Sequence, residues 1–178
     1  MGCSGLIICE KNHNVKGITF PMKILVFSDS HGRSSRLEEA AALHPDADMM
    51  IFLGDGLRDV ESLFEKIYSI PCVAVKGNCD NLSTGLAGTY LDEQTLDVGG
   101  VRIFCCHGHK YNVKSSYMQL WYRAKEKEAD LALFGHTHTP LEAEADGVRL
   151  FNPGSVAQGS YGIVYIENGN VLVSHGKI

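Results

Sequence analysis

Two histidines separated by one residue stand at the end of an apolar segment. The stretch LALFGHTHTP, residues 131–140, runs through Gly135 into His136 and His138. On an extended strand, side chains two residues apart point to the same face, so the two rings are predicted to converge and to offer nitrogen ligands to a metal ion. Single histidines more often form ordinary hydrogen bonds. The metal hypothesis therefore depends on whether other ligands reach the same place.

Further oxygen and imidazole side chains follow other apolar segments. Asp29 and His31 come after the first segment, Asp55 after the second, Asn78 after the third and His107 after a later one. Taken singly, Asp55 and Asn78 suit a helix cap or a turn. The carboxyl ends of neighbouring strands in an open α/β sheet line one crevice, however, and residues far apart in sequence meet there. Taken together, the set predicts a metal site in which Asn78 supplies a neutral carbonyl oxygen.

The first half of the chain alternates between strands and helices. MKILVF predicts a strand near 23–27, DMMIFLGDG a strand near 48–53 and PCVAVKGN a third strand. SSRLEEAAALH and LRDVESLFEKIY predict the intervening helices, and Ser35 and Glu38 have the spacing of a capping box. The order βαβαβ predicts a parallel sheet with helices on its faces.

The second half of the chain is predicted to contain mostly strands. YLDEQTLDVGGVRIFCCHGH predicts two strands joined at Gly99 and Gly100, and a helix over 114–128 precedes the strand LALFG. VRLFNPGSV predicts a short strand, and YGIVYIENGNVLVSHG predicts a hairpin around Asn168 and Gly169. We expect these strands to form a second, mainly antiparallel sheet.

Composition narrows the class of protein. The 178 residues, 44% of them apolar, suit one globular domain. A formal charge of -5, without a run of basic residues, argues against a broad nucleic-acid surface. No apolar run approaches the roughly 20 residues of a membrane span, and the N-terminus lacks a secretion signal. We therefore expect a cytoplasmic protein that does not bind a membrane.

The motifs, in their order, resemble those of the calcineurin-like metallophosphoesterases. The series is Asp29-Ser-His31, Gly54-Asp55, Gly77-Asn78-Cys79-Asp80, His107-Gly-His109 and Gly135-His136-Thr-His138. The short form, with its Asn152-Pro-Gly-Ser155 loop, is similar to the YfcE-like bacterial and archaeal phosphodiesterase group, and the match spans 22–178. The resemblance implies a four-layer α/β/β/α sandwich of two mixed sheets, with two metal ions at one edge.

The resemblance also implies how the ligands are shared. One ion would be held by Asp29, His31, Asp55 and His138, and the other by Asp55, Asn78, His107 and His136. Asp55 would bridge the two divalent ions, which would share a hydroxide as the nucleophile and stabilise charge on the phosphoryl oxygens. Manganese is the first guess, and Fe, Zn, Ni or Co suit the same mixture of nitrogen and oxygen ligands.

Cys79 departs from the pattern of the wider superfamily. A histidine usually stands at this position, where it contacts the phosphate and is thought to protonate the leaving group. A thiol has a pKa near 8.5 and is a poor hydrogen-bond donor. We therefore expect phosphodiesters to be favoured over phosphomonoesters, with His109 as a candidate substitute in proton transfer; the alternative is that His109 is simply solvated.

Two functions from different classes follow from these observations. The first is a dinuclear-metal-dependent phosphoesterase, most simply a phosphodiesterase, that acts on a small phosphate ester. The alternative is a non-catalytic protein-binding scaffold of the same fold, as in a retromer subunit. All seven ligand positions are intact, which favours catalysis.

Residues 1–21 precede the strand at which a short member of the family begins. We expect the metallophosphoesterase domain to occupy 22–178 and residues 1–21 to be an N-terminal extension, forming a hairpin or a contact with another subunit. Such a contact would make the chain a homo-oligomer.

Overall fold

The computed structural model of the chain describes residues 21–67, 70–80 and 90–178. Within these ranges the three α-helices are α1 Ser34–Ala42, α2 Leu57–Ile67 and α3 Met118–Glu126. The strands are β1 Met22–Phe27, β2 Met49–Phe52, β3 Cys72–Ala74, β4 Glu93–Val98, β5 Val101–Cys106, β6 Leu131–Leu133, β7 Leu141–Ala145, β8 Val148–Asn152, β9 Ser160–Glu167 and β10 Asn170–Lys177. The predicted extension, apart from its last residue, lies outside the described residues, so the division at 21 and 22 stays a prediction.

The first sheet contains the predicted βαβαβ unit. Its strand order is β10-β9-β1-β2-β3, and β1, β2 and β3 are parallel. The hairpin of β9 and β10 turns at Asn168 and Gly169 as predicted, but it joins this sheet and not the second one, since β9 pairs antiparallel with β1. The hairpin reaches β1 because the free edge of β1 lies on the side away from β2.

The second sheet is mixed, and the expectation that it is mainly antiparallel was wrong. Its order is β4-β5-β6-β8-β7, with β6 parallel to both β5 and β8. Helix α3 connects β5 to β6, and a helical crossover of this kind returns the chain in the same direction. The short edge strand β7 was not predicted, because its sequence LEAEA carries two glutamates and leaves most of its residues exposed.

The four-layer α/β/β/α sandwich is confirmed by the way alternate residues of each strand face different cores. Ile24 and Val26 pack between the two sheets, whereas Leu25 and Phe27 pack under α1 and α2. On the far side of the second sheet, Phe104 packs with residues of α3. Each fully buried side chain of this size stabilises the fold by about 1.5–3 kcal/mol. The two sheets are therefore held face to face, and their strand ends meet at a common edge.

Helix α1 does not use the predicted capping box. It begins at Ser34 after Arg33, and the N-cap residue Arg33 makes no side-chain capping hydrogen bond to the described residues. The loop before the helix is instead held from α2, because Oδ2 of Asp59 accepts hydrogen bonds from Ser30 Oγ at 2.5 Å and from Gly32 N at 2.9 Å. This contact between the loop and α2 takes the place of the local cap that the spacing of Ser35 and Glu38 had predicted.

Two cysteines of β5 lie in the hydrophobic cores. Cys105 and Cys106 are fully buried free thiols in β5, and Cys72 is partly buried. None of the helices within residues 21–67, 70–80 and 90–178 has both the length and the apolar character needed to cross a membrane.

Candidate metal centre

The predicted ligands lie at the edge where parallel strands of both sheets end. The loops after β1 and β2 are joined by backbone hydrogen bonds, from Asp29 N to Gly54 O at 3.0 Å and from His31 N to Asp55 O at 3.1 Å. Gly135 N donates to His107 O at 3.1 Å, which joins the loops after β5 and β6. Six of the seven predicted ligands fall into groups that are able to hold a metal ion: Asp29, His31, Asp55, His107, His136 and His138.

The first group consists of Asp29, His31 and His138. Nε2 of His138 lies 3.1 Å from Oδ1 of Asp29 and 3.2 Å from Nε2 of His31. Oδ1 of Asp29 is 3.7 Å from Nε2 of His31. The three ligand atoms thus point at one another from three different places in the sequence.

The second group consists of Asp55, His107 and His136. Nε2 of His107 lies 3.3 Å from Oδ2 of Asp55 and 3.2 Å from Nδ1 of His136. Asp55 also approaches the first group, since its Oδ2 is 3.9 Å from Nε2 of His31. Asp55 therefore has the central place that the bridging role requires.

The backbone around the ligands is unusual. Asp29, His31, Asp55, His136 and His138 all have φ between 46° and 67°. They make up five of the nine residues other than glycine with positive φ in the described part of the chain. Such left-handed backbone costs energy and is found most often at functional sites, where the surrounding structure holds it in place.

This geometry corrects the reason given for the convergence of His136 and His138. The two histidines follow β6 in a loop and do not lie on an extended strand. Each ring joins a different group, His138 with Asp29 and His136 with Asp55. The prediction that both serve the metal site is consistent with their positions, but a left-handed turn, and not strand alternation, directs the side chains.

Two glycines permit the close approach of the loops. A Cβ atom on Gly77 would overlap Oδ1 of Asp55, and one on Gly135 would overlap Ser28 Oγ and lie 2.9 Å from Oδ2 of Asp29. Both positions sit against predicted ligands. A larger residue at either would displace a carboxylate of the site.

Asp29 provides a test of whether the residues fit a cation. Its Oδ2 accepts hydrogen bonds from Ser28 Oγ at 2.7 Å and from His136 N at 3.0 Å. Its Oδ1 is buried and has no hydrogen-bond partner among the residues that the structure describes, although Nε2 of His138 is 3.1 Å away. Two ligand atoms held about 2.1 Å from one cation are themselves about 3.0–3.4 Å apart. The unpaired oxygen and the facing nitrogens therefore fit a bound divalent ion.

His107 is held in the tautomer that a ligand needs. Its Nδ1 lies 2.7 Å from the carbonyl oxygen of Leu53, which can only accept a hydrogen bond. Nδ1 therefore carries the proton, and in the neutral ring Nε2 presents a lone pair towards Asp55. A second hydrogen bond of this kind commonly orients histidine ligands.

Charges within the groups shift the pKa values of their members. Burial acts to raise the pKa of Asp55, but the hydrogen bond and the charge of His107, with the amide of Cys79, hold it well below its usual range. Burial acts to lower the pKa of His107, and Asp55 outweighs this and raises it. Burial and the nearby charges of His107 and Lys114 lower the pKa of His136 to about 4. Asp55 is thus ionised and His136 neutral at pH 7, as ligands must be.

Asn78 and Cys79 occupy the exposed rim of the centre. The amide Nδ2 of Asn78 donates to Sγ of Cys79 at 3.2 Å. Sγ of Cys79 in turn lies in a group with ligand atoms of His31 and Asp55. Burial, followed by the hydrogen bond and charge of Asp55, raises the pKa of the Cys79 thiol to about 11. The roles of Asn78 as a ligand and of Cys79 in catalysis stay predictions.

His109 lies beside the second group. Its ring centroid is 5.4 Å from that of His107 and 6.1 Å from that of His136. Burial and the neighbouring charges of His107 and Lys110 lower its pKa, so the ring is neutral at pH 7. The structure thus places His109 near the centre, and its part in proton transfer stays a prediction.

Asp80 belongs to the Gly77-Asn78-Cys79-Asp80 motif but was not predicted to have a role. Its Oδ2 accepts hydrogen bonds from Asp55 N at 2.7 Å and Gly77 N at 2.9 Å. Its Oδ1 accepts hydrogen bonds from Gly56 N at 2.8 Å and Leu57 N at 3.0 Å. One carboxylate thus joins the loops after β2 and β3 and caps the first turn of α2. An aspartate three residues after Gly77, at a predicted strand end, was the available signal.

Comparison with known proteins gives relatives over most of the chain. The probable metallophosphoesterase YsnB of Bacillus subtilis is 35% identical over 154 residues, which cover 83% of this chain and 86% of that protein. The phosphodiesterase YfcE of Escherichia coli is 25% identical over 163 residues, covering 76% of this chain and 80% of YfcE.

Solved structures share the fold. A predicted phosphoesterase from Streptococcus pneumoniae has a TM-score of 0.74 and 28% identity, covering 90% of this chain and 91% of that one. Vacuolar protein sorting 29 (Vps29) from Cryptosporidium parvum has a TM-score of 0.67 and 18% identity, and the match covers 90% of this chain and 99% of that one. The sequence model of the calcineurin-like phosphoesterase superfamily domain matches residues 22–175, and the chain belongs to this family of metallophosphoesterases.

Proposed function

We propose that the chain is a phosphodiesterase with a dinuclear metal centre. The observation that carries the proposal is the pair of adjacent ligand groups, one around Asp29 and one around Asp55, in a member of a phosphoesterase family. Asp29, His31, Asp55 and His138 would hold one divalent ion, and Asp55, Asn78, His107 and His136 the other. When bound, the ions would supply an activated water and positive charge for the phosphoryl oxygens.

The charges of the metal ligands favour an anionic substrate, although the protein as a whole is acidic. Only Asp29 and Asp55 bring negative charge to the ligands, and His136 is neutral at pH 7 because its pKa is lowered to about 4. Two carboxylates leave two divalent ions with a net positive charge, which attracts a phosphate ester although the chain carries a formal charge of -5. The mixture of imidazole and carboxylate suits Mn, Fe, Co, Ni or Zn, and we take Mn as the first candidate.

Cys79 supports diesters as the preferred substrates. With its pKa raised to about 11, the thiol is un-ionised at pH 7 and is a weak acid. It therefore protonates a departing alkoxide less well than the histidine of the wider superfamily would, which favours substrates with acidic leaving groups. The relative YfcE, whose name is phosphodiesterase, supports the same class.

The test is a panel of phosphomonoesters and phosphodiesters assayed with the metal-depleted protein and after addition of Mn²⁺, Co²⁺ or Zn²⁺. We expect hydrolysis of diesters only in the presence of a metal, and loss of the activity on chelation. A protein that binds two ions and hydrolyses nothing in the panel would favour the protein-binding scaffold. The Vps29 neighbour, at 18% identity, shows the shared fold alone and does not favour that alternative.

A further inference from the structure

A turn without any predicted metal ligand contacts two of the ligand-bearing loops. It runs from Asn152, at the end of β8, to Ser155. The side chain of Asn152 is fully buried and that of Ser155 nearly so. Buried polar side chains need hydrogen-bond partners. Oδ1 of Asn152 accepts from Gly154 N inside the turn, whereas Nδ2 of Asn152 and Oγ of Ser155 both donate to the ligand-bearing loops.

Asn152 fixes the loop that carries His136 and His138. Its Nδ2 donates to the carbonyl oxygen of Gly135 at 2.8 Å and to Oγ1 of Thr137 at 3.1 Å. The first contact holds the residue before His136, and the second holds the residue between the two histidines. The side-chain amide of Asn152 thus holds the backbone from which both imidazole rings extend.

Ser155 fixes the opposite side of the centre. Its Oγ donates to the carbonyl oxygen of Asp29 at 2.8 Å, and the next residue along, Val156, donates its amide to Ser28 O at 3.0 Å. Asp29 is tied back to the histidine loop because its Oδ2 accepts from His136 N at 3.0 Å. The turn therefore sets the spacing between Asp29 and the histidine loop.

The histidine loop needs such support. His136 and His138 have φ of 67° and 60°, in the left-handed region. A strained conformation of this kind persists only where its surroundings hold it. Thr137 N donates to Gly135 O at 2.8 Å within the loop, and Asn152 supplies a second donor to the same oxygen.

We propose that Asn152 is a positioning residue for both halves of the metal centre. It acts through the backbone of 135–138, which delivers His138 to the group around Asp29 and His136 to the group around Asp55. The inference rests on the proposed function, because it needs ions in both groups. Groups that orient metal ligands typically change the affinity about 10- to 100-fold when they are removed.

Ser160 offers a matched control. It is also buried, and its Oγ donates to the carbonyl oxygen of Pro153, within the same turn, at 2.8 Å. Its hydroxyl has no hydrogen bond to the histidine loop. Ser160→Ala and Asn152→Ala both remove buried hydrogen bonds from the turn, but only Asn152→Ala releases the loop.

The experiment titrates Co²⁺ into metal-free wild type and variants, with calorimetry and the visible spectrum of the bound ion as readouts. Co²⁺ binds nitrogen and oxygen sites more tightly than Mn²⁺ or Fe²⁺, so it is a sensitive probe of such a centre. We expect two ions in the wild type, an affinity about 10- to 100-fold weaker for both ions in Asn152→Ala, and a change within about twofold in Ser160→Ala.

Thr137 gives a second pair of variants in case Asn152→Ala does not fold. Thr137→Val removes the acceptor that Asn152 Nδ2 uses at 3.1 Å, whereas Thr137→Ser keeps it. We expect weaker Co²⁺ binding and an altered spectrum in the valine variant, with recovery in the serine variant.

The outcomes separate this inference from the proposed function. If the wild type binds two ions and Asn152→Ala, or Thr137→Val in its place, binds them equally well, the positioning role is overturned and the metal centre stands. Equal losses in Ser160→Ala and Asn152→Ala would also overturn it, because a general weakening of the turn would explain both. A wild type that binds no Co²⁺ would overturn the proposed function and the positioning role together.

Discussion

Nε2 of His107 lies 3.3 Å from Oδ2 of Asp55, across the junction between the two sheets. His107 follows β5 of the second sheet, and Asp55 follows β2 of the first. The contact is possible because the parallel strands of both sheets end at the same edge of the sandwich. It joins the two halves of the candidate centre.

Asp55→Ala is expected to lower the turnover of phosphodiesters to less than a tenth of the wild-type value, a change of at least about 1.4 kcal/mol in the barrier. Asp55 is ionised and has a central place between the two groups, so its loss leaves both short of a ligand. Metal-saturated kinetics and circular dichroism provide the measurements. Asp97→Ala, which removes an exposed carboxylate paired with Arg102 at 2.8 Å, is the control and should keep full activity. Turnover above a tenth in a folded Asp55→Ala would contradict the bridging role.

The wild-type rate is expected to depend steeply on the acidity of the leaving group. Cys79, with its pKa raised to about 11, is a weak acid, so nitrophenyl diesters should react much faster than alkyl ones. Cys79→His should flatten this dependence, since general acid catalysis contributes about 10²- to 10⁴-fold. Rates plotted against leaving-group pKa give the measurement.

His109→Ala and Cys79→Ser are the controls for that series. The serine variant replaces one weak acid with another and should keep the steep slope. A shallow slope in the wild type that becomes steep only in His109→Ala would show that His109 is the general acid. Cys79 in place of a histidine would then not leave the leaving group without a proton donor.

Asp80→Asn is expected to lower the free energy of unfolding by about 1–3 kcal/mol. The carboxylate accepts hydrogen bonds from four backbone N–H groups, two at each oxygen. In the asparagine variant the NH₂ group replaces one oxygen, so it faces two N–H donors, including that of Asp55 or that of Gly56, and cannot accept from them. Urea denaturation without metal measures the change. Asp130→Asn is the control, because among the described residues its carboxylate accepts a single hydrogen bond, from Arg102 N at 2.8 Å, and the amide retains an oxygen for it. Equal losses in the two variants would show that Asp80 holds no more than an ordinary turn.

How far the site follows from the sequence is clearest from Asp55 and Asn152. Asp55 taken singly suits a helix cap, and it was predicted as a ligand because it is one of a series of oxygen and imidazole side chains that follow successive predicted strands. Asn152 received no role, because the value of a buried amide depends on which backbone atoms surround it, and Gly135 is far from it in the sequence.

The fold, like the site, was predicted from the sequence only in part. Hydrophobic alternation and the βαβαβ order were enough to predict β1 to β3 and the helices between them. They were not enough to place the hairpin of β9 and β10, since its pairing with β1 depends on which sheet has an open edge beside it. The edge strand β7 was missed because an exposed strand with glutamates carries little hydrophobic signal.

Acid is expected to weaken the fold partly through Glu93. The hydrogen bond from Arg123 Nη2, at 2.5 Å, is the main cause that lowers the pKa of Glu93 below 4.5, and Tyr111 adds to it. A group whose pKa is lowered on folding contributes stability above its unfolded value, and that contribution is lost as the pH falls through the folded value. The free energy of unfolding should therefore be steady from pH 7 to about 5 and fall below about 4.5.

Glu93→Gln tests this assignment. It should cost roughly 1 kcal/mol at pH 7, since the pair is partly exposed, and it should make the fall below pH 4.5 shallower. Glu126→Gln removes the other, more exposed partner of Arg123, at 2.9 Å, and should change stability by less than about 0.5 kcal/mol. An unchanged acid profile in Glu93→Gln would assign the loss to other carboxylates.

The central claim is that two divalent ions occupy the edge of the sandwich, and elemental analysis combined with anomalous X-ray scattering from metal-loaded crystals tests it most directly. We predict two ions per chain, one among Asp29, His31 and His138 and the other among Asp55, His107 and His136, which are the residues of the two ligand groups. A fully loaded protein with a single ion, or with ions bound away from Asp29, Asp55 and His138, would contradict the account.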